Sequence, residues 1–437
     1  MTRTDAAGLA VSGATPRAQE IYESALAAFL GWRRTADHPL ASATHEAPGF
    51  VMAHVLEAWR LLCSRDRAIA HSAQAVAKRA AALPADPRER MHLGAIGAVL
   101  ADDYEGARRR LGELLRHHPR DALALQVAHT LDHLMGDTKM LLGRVASVLP
   151  AWSPSLPGYY AVRAMHAFGL LESGRYARAE EAASEVLAHD ALDARTHHTM
   201  AHLFEMTERA EAGARWMSQH AVAWSDGSVA AVHCWWHLAL FQLARGRFDS
   251  VLQLYDQRLR GDRSTHVADL IDASSLLWRT ELAGADPGQR WQELADAWAP
   301  RIDDAFCSFS DIHAMLAFVG ARDWARAGRL EAALLQARAT PTRHGSSTRR
   351  LGLPVCRAIM AYGRGKDSRA VSLLGTLAAQ AHRLGGSHAQ RDVLHLTLRS
   401  AIDRLRRPVA KWWQASLPQA ATVRGPAGML AMPAAAR

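Results

Sequence analysis

The feature that most constrains the fold of this chain is an internal repeat. Residues 171–180 (LESGRYARAE) and 243–252 (LARGRFDSVL) share the same turn phrase. The aromatic residues Tyr104, Tyr176 and Phe248 recur at intervals of 72 residues. Self-similarity at a fixed period indicates an array of stacked supersecondary units rather than one thick core.

Two further turns divide each interval. They lie before Thr138 and Ala210 and give alternating steps of 34 and 38 residues. Such a period is typical of tetratricopeptide-type helical hairpins, in which a Gly or Asp ends one helix and an aromatic residue begins the next. Because one hairpin cannot bury its own apolar face, stacking must form the core. The sequence predicts an all-α, tetratricopeptide-like α-solenoid of about nine to ten hairpins.

Composition sets the expected domain limits. The chain has 437 residues, 49% of them hydrophobic, and alternating strand patterns are nearly absent. We expect a disordered leader over residues 1–18, the solenoid over 19–407 and a disordered tail over 408–437. The leader lacks the apolar stretch of a signal peptide, and the chain has no apolar run of membrane-spanning length. The sequence therefore predicts no membrane partner.

Charge and cysteine usage exclude further classes. The net charge is +9, but the basic residues are spread along the chain instead of clustering with aromatic residues. We therefore expect no nucleic-acid partner. The chain has only four cysteines and no CxxC motif, which argues against a disulfide framework or a cysteine zinc finger and favours a cytoplasmic location.

Histidine pairs with helical spacing mark a candidate site in the middle of the array. An i, i+4 spacing places both imidazoles on one face of a helix. The pairs are His129/His133, His198/His202 and His233/His237. Similar distances to the following turns place His129, His166, His202 and His237 at comparable heights on successive first helices. These side chains are expected to line one wall of a concave groove.

Five segments carry a resemblance to a known family: residues 156–160 (LPGYY), 197–206 (HHTMAHLFEM), 233–240 (HCWWHLAL), 272–279 (DASSLLWR) and 386–392 (GSHAQRD). With these motifs the sequence resembles the tetratricopeptide-repeat 38 family, which includes bacterial StaR-like proteins. The resemblance covers about residues 20–405 and implies an α-solenoid, with little implication for function. Cys234 is a departure, because the family pattern implies Asn at this position.

Three interpretations of the histidines remain open. They can be structural, packed with tryptophans in helical seams. They can line a groove, where imidazole and indole rings bind a peptide or small ligand and arginines hold an anion. They can also form a metal or catalytic centre, with Glu205 on nearly the same face as His198 and His202, and with Asp311, His313 or Asp392 as additional ligands or an acid–base pair.

The groove interpretation is our first functional hypothesis. It describes an interaction or accessory protein that binds a partner peptide or small ligand, with no metal, no cofactor and no assigned catalytic residue. The alternative is a hydrolase-like enzyme with a His-rich, metal-dependent pocket, although Thr199 breaks the HExxH metalloprotease motif. The candidate groove residues are His129, His133, His166, His198, His202, Glu205, Trp235, Trp236, His237, Arg279, His388 and Arg391.

Overall fold

A computed structural model describes residues 3–34 and 39–406, and nearly all of the regular structure in these ranges is helical. The all-α class predicted from the apolar periodicity is therefore confirmed. The predicted disordered tail, residues 408–437, lies outside the described residues. None of the helices in these ranges combines the length and the apolarity needed to cross a bilayer.

Twelve helices make up the first half of the chain. They are α1 Pro16–Leu30, α2 Pro39–Glu46, α3 Val51–Leu62, α4 Arg67–Ala81, α5 Pro87–Leu100, α6 Tyr104–His117, α7 Ala122–Leu134, α8 Thr138–Val148, α9 Tyr159–Glu172, α10 Tyr176–His189, α11 Ala194–Met206 and α12 Ala210–Gln219.

The second half continues in the same way. Its helices are α13 Ala221–Ser225, α14 Ala231–Ala244, α15 Phe248–Leu254, α16 Val267–Leu282, α17 Arg290–Trp298, α18 Ser308–Gly320, α19 Trp324–Ala337, α20 Arg343–Ser347, α21 Leu353–Gly363, α22 Asp367–Leu377, α23 His388–Arg391 and α24 Val393–Arg406. Short π-helical turns at Tyr255–Leu259 and Thr348–Gly352, and 3-10 turns at Leu149–Ala151, Ala299–Arg301 and Ala378–Leu384, extend or connect them.

The repeat residues begin the second helix of each hairpin. Helices α6, α8, α10, α12 and α15 start at the five positions that the period of the sequence predicts. Two residues before each start, the backbone has a positive φ, between 57° and 72°. Glycine supplies this conformation at Gly136, Gly174 and Gly246, whereas Asp102 and Glu208 adopt it at some steric cost. A left-handed turn residue is thus what the repeated phrase encodes.

The two helices of a hairpin differ in burial. Consecutive pairs pack on each other, namely α3/α4, α5/α6, α7/α8, α9/α10, α11/α12, α14/α15, α16/α17, α18/α19 and α21/α22. First helices also contact the first helix of a neighbouring pair, as α9, α11, α14, α16 and α18 do in succession. Residues Ala194–Phe204 of α11 are all buried, whereas α10 buries only Ala179, Ala182, Ala183 and Val186. Polar side chains on first helices are consequently cut off from water.

The early and late hairpins touch each other. Arg301 forms an ion pair of 2.6 Å with Asp66 at the start of α4, and Nε2 of His344 lies 3.0 Å from the Asp102 carboxylate. At Gly136 a Cβ would lie 1.7 Å from the carbonyl oxygen of His382, so the chain approaches itself as closely as glycine allows. These contacts close the helical array on itself.

The beginning of the chain differs from the sequence-based expectation. The predicted disorder over residues 1–18 is wrong for residues 3–18, because strands β1 (Arg3–Thr4) and β2 (Ala10–Val11) pair antiparallel and α1 begins at Pro16. Arg88 donates a hydrogen bond of 2.8 Å to the carbonyl of Ala10, and Glu89 accepts one of 2.9 Å from the amide of Ser12. Such distant partners are not visible in the local composition of the segment.

Asp132 illustrates how a buried charge is satisfied. This carboxylate is fully buried on α7 and accepts hydrogen bonds from Arg108 at 2.6 Å and from Arg144 at 2.7 and 3.1 Å. Two guanidinium groups from two neighbouring helices therefore converge on one carboxylate. Removing the carboxylate would leave the buried Arg144 without an ion pair, whereas Arg108 would keep its second partner, Asp137.

We predict that Asp132→Ala lowers the free energy of unfolding by about 3–5 kcal/mol, because it leaves the buried cation of Arg144 uncompensated. The matched control is Glu211→Ala, which breaks the exposed pair with Arg215 and should change stability by no more than about 0.5 kcal/mol. Urea denaturation followed by circular dichroism measures both. Equal losses in the two variants would show that the Asp132 cluster contributes no more than a surface pair.

Candidate metal centre in the buried histidine cluster

Two of the three histidine pairs meet in the interior. Helices α11 and α14 pack side by side, and the i, i+4 spacing turns both pairs toward their contact. His198, His202, His233 and His237, the histidine tetrad, each offer one ring nitrogen, and these atoms all lie within 4.8 Å of one another. Within the described ranges, this is the one place where three or more His, Cys, Asp or Glu side chains lie close enough together to hold a metal ion.

The four rings meet at steep or tilted angles, and no two of them are stacked. Nε2 of His202 lies 3.0 Å from Nε2 of His198, so one nitrogen donates and the other accepts. The rings of His202 and His237 lie 4.3 Å apart at 76°, and those of His198 and His233 lie 5.0 Å apart. One ring nitrogen of each histidine therefore lies close to a common volume, and a metal ion there would replace the hydrogen bond between His198 and His202.

Several polar atoms of this cluster have no protein partner. Among the described residues, Nδ1 of His198, Nδ1 of His202, both nitrogens of His237 and Oε2 of Glu205 are buried and form no hydrogen bond. Buried polar atoms without partners are rare in folded proteins, and each is expected to have an explanation such as an ion. A bound cation would satisfy nitrogens that the protein leaves unsatisfied.

Two carboxylates stand behind the histidines. Oδ2 of Asp272 on α16 lies 2.8 Å from Nδ1 of His233, and Oε2 of Glu205 lies 3.6 Å from Nδ1 of His237. The Asp272 bond takes up Nδ1 of His233 and leaves its Nε2 for the centre. A carboxylate bonded to the outer nitrogen of a histidine is the usual support of a metal-ligating imidazole.

The electrostatics of the site keep most of the tetrad neutral. Burial, aided by the neighbouring rings, holds the pKa values of His198, His202 and His237 well below the ordinary value of 6.5. Burial alone would lower the pKa of His233, but Asp272, with smaller contributions from Glu205 and Asp269, outweighs burial and raises the pKa of this ring. Burial raises the pKa of Glu205 to about 7, although Arg279 acts in the opposite direction. Neutral imidazole is the form that ligates a metal.

The donor set fits a transition metal. Imidazole nitrogen suits zinc, copper, iron and nickel, whereas calcium and magnesium prefer oxygen ligands. Tetrahedral zinc with bonds of 2.0–2.1 Å places its ligand nitrogens about 3.3 Å apart. The spread of up to 4.8 Å in the tetrad reaches this geometry through small rotations of the side chains. The arrangement can therefore hold one metal ion with little change of the backbone.

The third pair lies near the tetrad without joining it. The ring of Phe168 is 5.7 Å from His133 and 5.7 Å from His198, so this phenyl group separates the two. His129 contacts the same ring at 6.1 Å. The predicted alignment of the first helices therefore brings His202 close to His237, whereas His129 contacts Phe168 and not the tetrad.

Several other candidates are placed elsewhere. Nδ1 of His166 lies 3.2 Å from Arg163, and Trp235 packs on Trp224 at 4.5 Å, away from the tetrad contacts. Trp236 does join the site, because its ring stacks on His233 at 5.1 Å.

The candidate anion-binding arginines have other partners. Arg279 donates to the carbonyl of Ala389, and Arg391 donates to that of Gly386. One amino group of each guanidinium is therefore already bonded to a backbone carbonyl. Burial lowers the pKa of the neighbouring His388 below its ordinary value.

Asp311 and His313, suggested by the sequence as additional ligands, belong to a different environment. Nδ1 of His313 on α18 lies 2.7 Å from the carbonyl of Phe309. Burial lowers the pKa of His313 to about 3 and raises the pKa of Asp311 to about 8. Both side chains are buried in the core and are not members of the tetrad.

Sequence reasoning missed two residues. Asp272 was noted only as part of the motif 272–279, but this carboxylate orients His233. Sequence reasoning overlooked Arg195, which is buried on α11 one turn before His198. The signal for Arg195 was present, since a charged residue on a fully buried helix needs a partner.

Cavities reach the tetrad from two sides. One cavity of about 820 Å³ has His198, His133, Phe168 and Arg195 in its lining. A second, also of about 820 Å³, has Glu205 in its lining. The histidine tetrad thus borders one such space at His198, and the neighbouring Glu205 borders another.

Models of known protein families were compared with the chain, and none of them matches it. The resemblance to the tetratricopeptide-repeat 38 family therefore stays a prediction from the sequence motifs.

We predict that His313 contributes to acid instability. Its folded-state pKa of about 3 lies below the ordinary 6.5, so between these values the unfolded chain binds a proton that the folded chain does not. Stability is full above pH 6.5 and falls as the pH drops, by up to about 1.4 kcal/mol per pH unit for this one group.

Urea denaturation between pH 7 and pH 4 tests this effect. The His313→Leu variant should lose stability less steeply with falling pH than the unsubstituted protein does. The control is His71→Leu on the exposed face of α4, which should leave the slope unchanged. An unaltered slope in His313→Leu would mean that His313 takes up its proton without unfolding.

Proposed function

We propose that this protein is a tetratricopeptide-like α-solenoid that binds a divalent transition metal on the histidine tetrad and uses it on a small molecule in the adjoining cavity, as a hydrolase-type enzyme. The observation that carries the proposal is the convergence of four ring nitrogens within 4.8 Å at a buried point. In the same rings, both nitrogens of His237 and Nδ1 of His198 and of His202 have no partner among the described residues.

The solenoid part of the proposal is supported by the repeat. Hairpins that follow a period of 34 and 38 residues stack through their first helices, which is how repeat proteins build a core. The motifs that resemble the tetratricopeptide-repeat 38 family fall on α9, α11, α14, α16 and α23. All four cysteines are free thiols, which supports the expected cytoplasmic location.

The chemical part is supported by the charge of the ligand set. Four neutral imidazoles leave the full charge of a divalent ion in place, and such an ion is a strong Lewis acid. Histidine-rich zinc centres become catalytic when one coordination position is left to water or substrate. The tetrad supplies three ligands even if one ring gives up its position.

The ligand is expected to be a small molecule rather than a peptide. Most of the histidines assigned to the groove are buried, with His202 and His237 fully so. A peptide chain lying along a concave surface would not reach them. A small molecule can reach them through the cavity that has His198 in its lining. The small-ligand form of the groove hypothesis is therefore compatible with the metal centre.

We predict that the protein, produced without a histidine tag, contains about one transition-metal ion per chain, as a single four-histidine site implies. His202→Gln and His237→Gln should each reduce the metal content by about tenfold or more. His313→Gln is the matched control, because it replaces a buried histidine outside the tetrad and should retain the metal. Inductively coupled plasma mass spectrometry of dialysed samples measures the metal content per chain.

Turnover is measured on the same samples with p-nitrophenyl acetate and p-nitrophenyl phosphate. Metal-dependent hydrolysis that is lost in His202→Gln supports the enzyme. Stoichiometric metal without hydrolysis would contradict the catalytic part and leave a structural metal site. A metal-free protein that also fails to bind added zinc would overturn the whole proposal.

We further predict that Asp272→Asn weakens zinc binding by about 10–100-fold, because an amide orients the His233 ring less firmly and makes it less basic. Asp269→Asn is the control on the same helix, since Asp269 accepts its hydrogen bond from Ser264 and not from a histidine. Competition with a zinc-binding dye gives both affinities. Equal affinities in the two variants would show that Asp272 does not support the metal.

A further inference from the structure

Arg195 is a buried cation without a counter-ion. Its side chain is 3% exposed, and no carboxylate of the described residues forms an ion pair with it. One amino group donates to Oε1 of Gln126, the guanidinium lies 4.8 Å above the ring of Trp32, and Nε has no partner. Burial lowers the pKa of Arg195 to about 10, although Asp193 acts against this shift.

Of the four other arginines that are buried among the described residues, three form ion pairs with carboxylates, Arg260 with Glu293 among them, and Arg279 is the exception. Arg88 forms an ion pair of 2.7 Å with Asp121, and Arg144 forms one of 2.7 Å with Asp132. An unpaired buried charge is strongly unfavourable, so a fold keeps one only where something else pairs with it. Arg195 thus indicates a partner that is not part of the described protein.

The cavity around Arg195 has the matching character. Its described lining contains Arg33, Arg34, Arg60, Arg79 and Arg195. Glu57 is the one carboxylate in that lining, and it is already bonded to Arg60 at 2.9 Å. A cavity with such an excess of positive charge attracts anions.

Aromatic rings form the part of the cavity next to the metal centre. The ring of Trp32 lies 5.2 Å from His198, and that of Phe168 lies 5.7 Å from the same histidine. Flat apolar surfaces of this kind bind the apolar body of a ligand. Because Trp32 also lies beneath Arg195, the anion position and the metal centre share one wall.

We propose that this cavity binds a small organic anion, with its carboxylate or phosphate group held by Arg195 and its apolar body between Trp32 and Phe168. The inference names the ligand class of the cavity and in that respect rests on the proposed function. Two donors of one guanidinium match two oxygens of a carboxylate or phosphate, and the charge of the anion balances the buried cation.

Calorimetric titration with three probes of similar shape tests the proposal. Benzoate and phenyl phosphate carry the two anionic groups, and benzyl alcohol is the uncharged match. We expect at least one anion to bind about tenfold or more tighter than benzyl alcohol, since hydrogen bonds to charged groups are the strong ones. The anion that binds tighter distinguishes a carboxylate ligand from a phosphate ligand.

Arg195→Met should reduce the affinity for that anion by about tenfold to hundredfold and leave the affinity for benzyl alcohol unchanged. Arg195→Lys keeps the positive charge and should reduce the affinity for that anion by a smaller factor. Arg109→Met, on the exposed face of α6, is the matched control and should bind like the unsubstituted protein. Without ligand, Arg195→Met should melt at a higher temperature, because it removes an uncompensated buried charge.

The titrations are carried out with and without added zinc, so that the two proposals fail separately. Anion binding that depends on Arg195 in a protein unable to bind zinc would support the anion site and overturn the metal proposal. Zinc binding, with neither anion bound more tightly than benzyl alcohol, would support the metal proposal and overturn the anion site. A lower melting temperature in Arg195→Met, together with unchanged anion affinity, would make Arg195 a structural residue and overturn the inference.

Discussion

A helical hairpin of this chain cannot bury its own apolar face, and the first helix of each pair is therefore enclosed by its neighbours. Water is excluded from the side chains of helices such as α11 and α18. A polar group there needs a partner supplied by another helix, as Asp132 receives from Arg108 and Arg144. Since most buried charges are satisfied in this way, the histidine tetrad and Arg195 stand out as functional candidates.

Much of the fold could be read from the sequence, because hairpin turns are local. A left-handed turn residue two positions before the first helical residue marks the second helix of the five hairpins that follow the repeat, as Gly174 does before Tyr176. The pairing of histidines on one face was also predictable. The angle and register between α11 and α14, which bring His202 to His237 but leave His133 behind Phe168, depend on packing and were not. Partners distant in sequence, such as Asp272 for His233, leave no local trace.

The two proposed sites are mechanically linked. Arg195 and His198 are one turn apart on α11, so a ligand that moves this helix affects both. Each site also carries a free-energy cost in the absence of its ligand, through unsatisfied nitrogens at one and an unpaired cation at the other. Residues that lower stability persist where function requires them. A protein built this way gains stability when its ligands bind, because the folded state alone offers both sites.

The contacts between the early and late hairpins have a kinetic consequence. Linear repeat arrays open from their ends, one unit at a time. Here Asp66 and Asp102, in early hairpins, are tied to Arg301 and His344, in late ones, so the units that carry these residues cannot open without breaking a contact to a distant part of the array. Contacts between early and late hairpins thus hold the helical array closed. The residence time of a ligand in the cavity beside His198 and Arg195 then depends on how often these contacts or the cavity entrance open, and not on affinity alone.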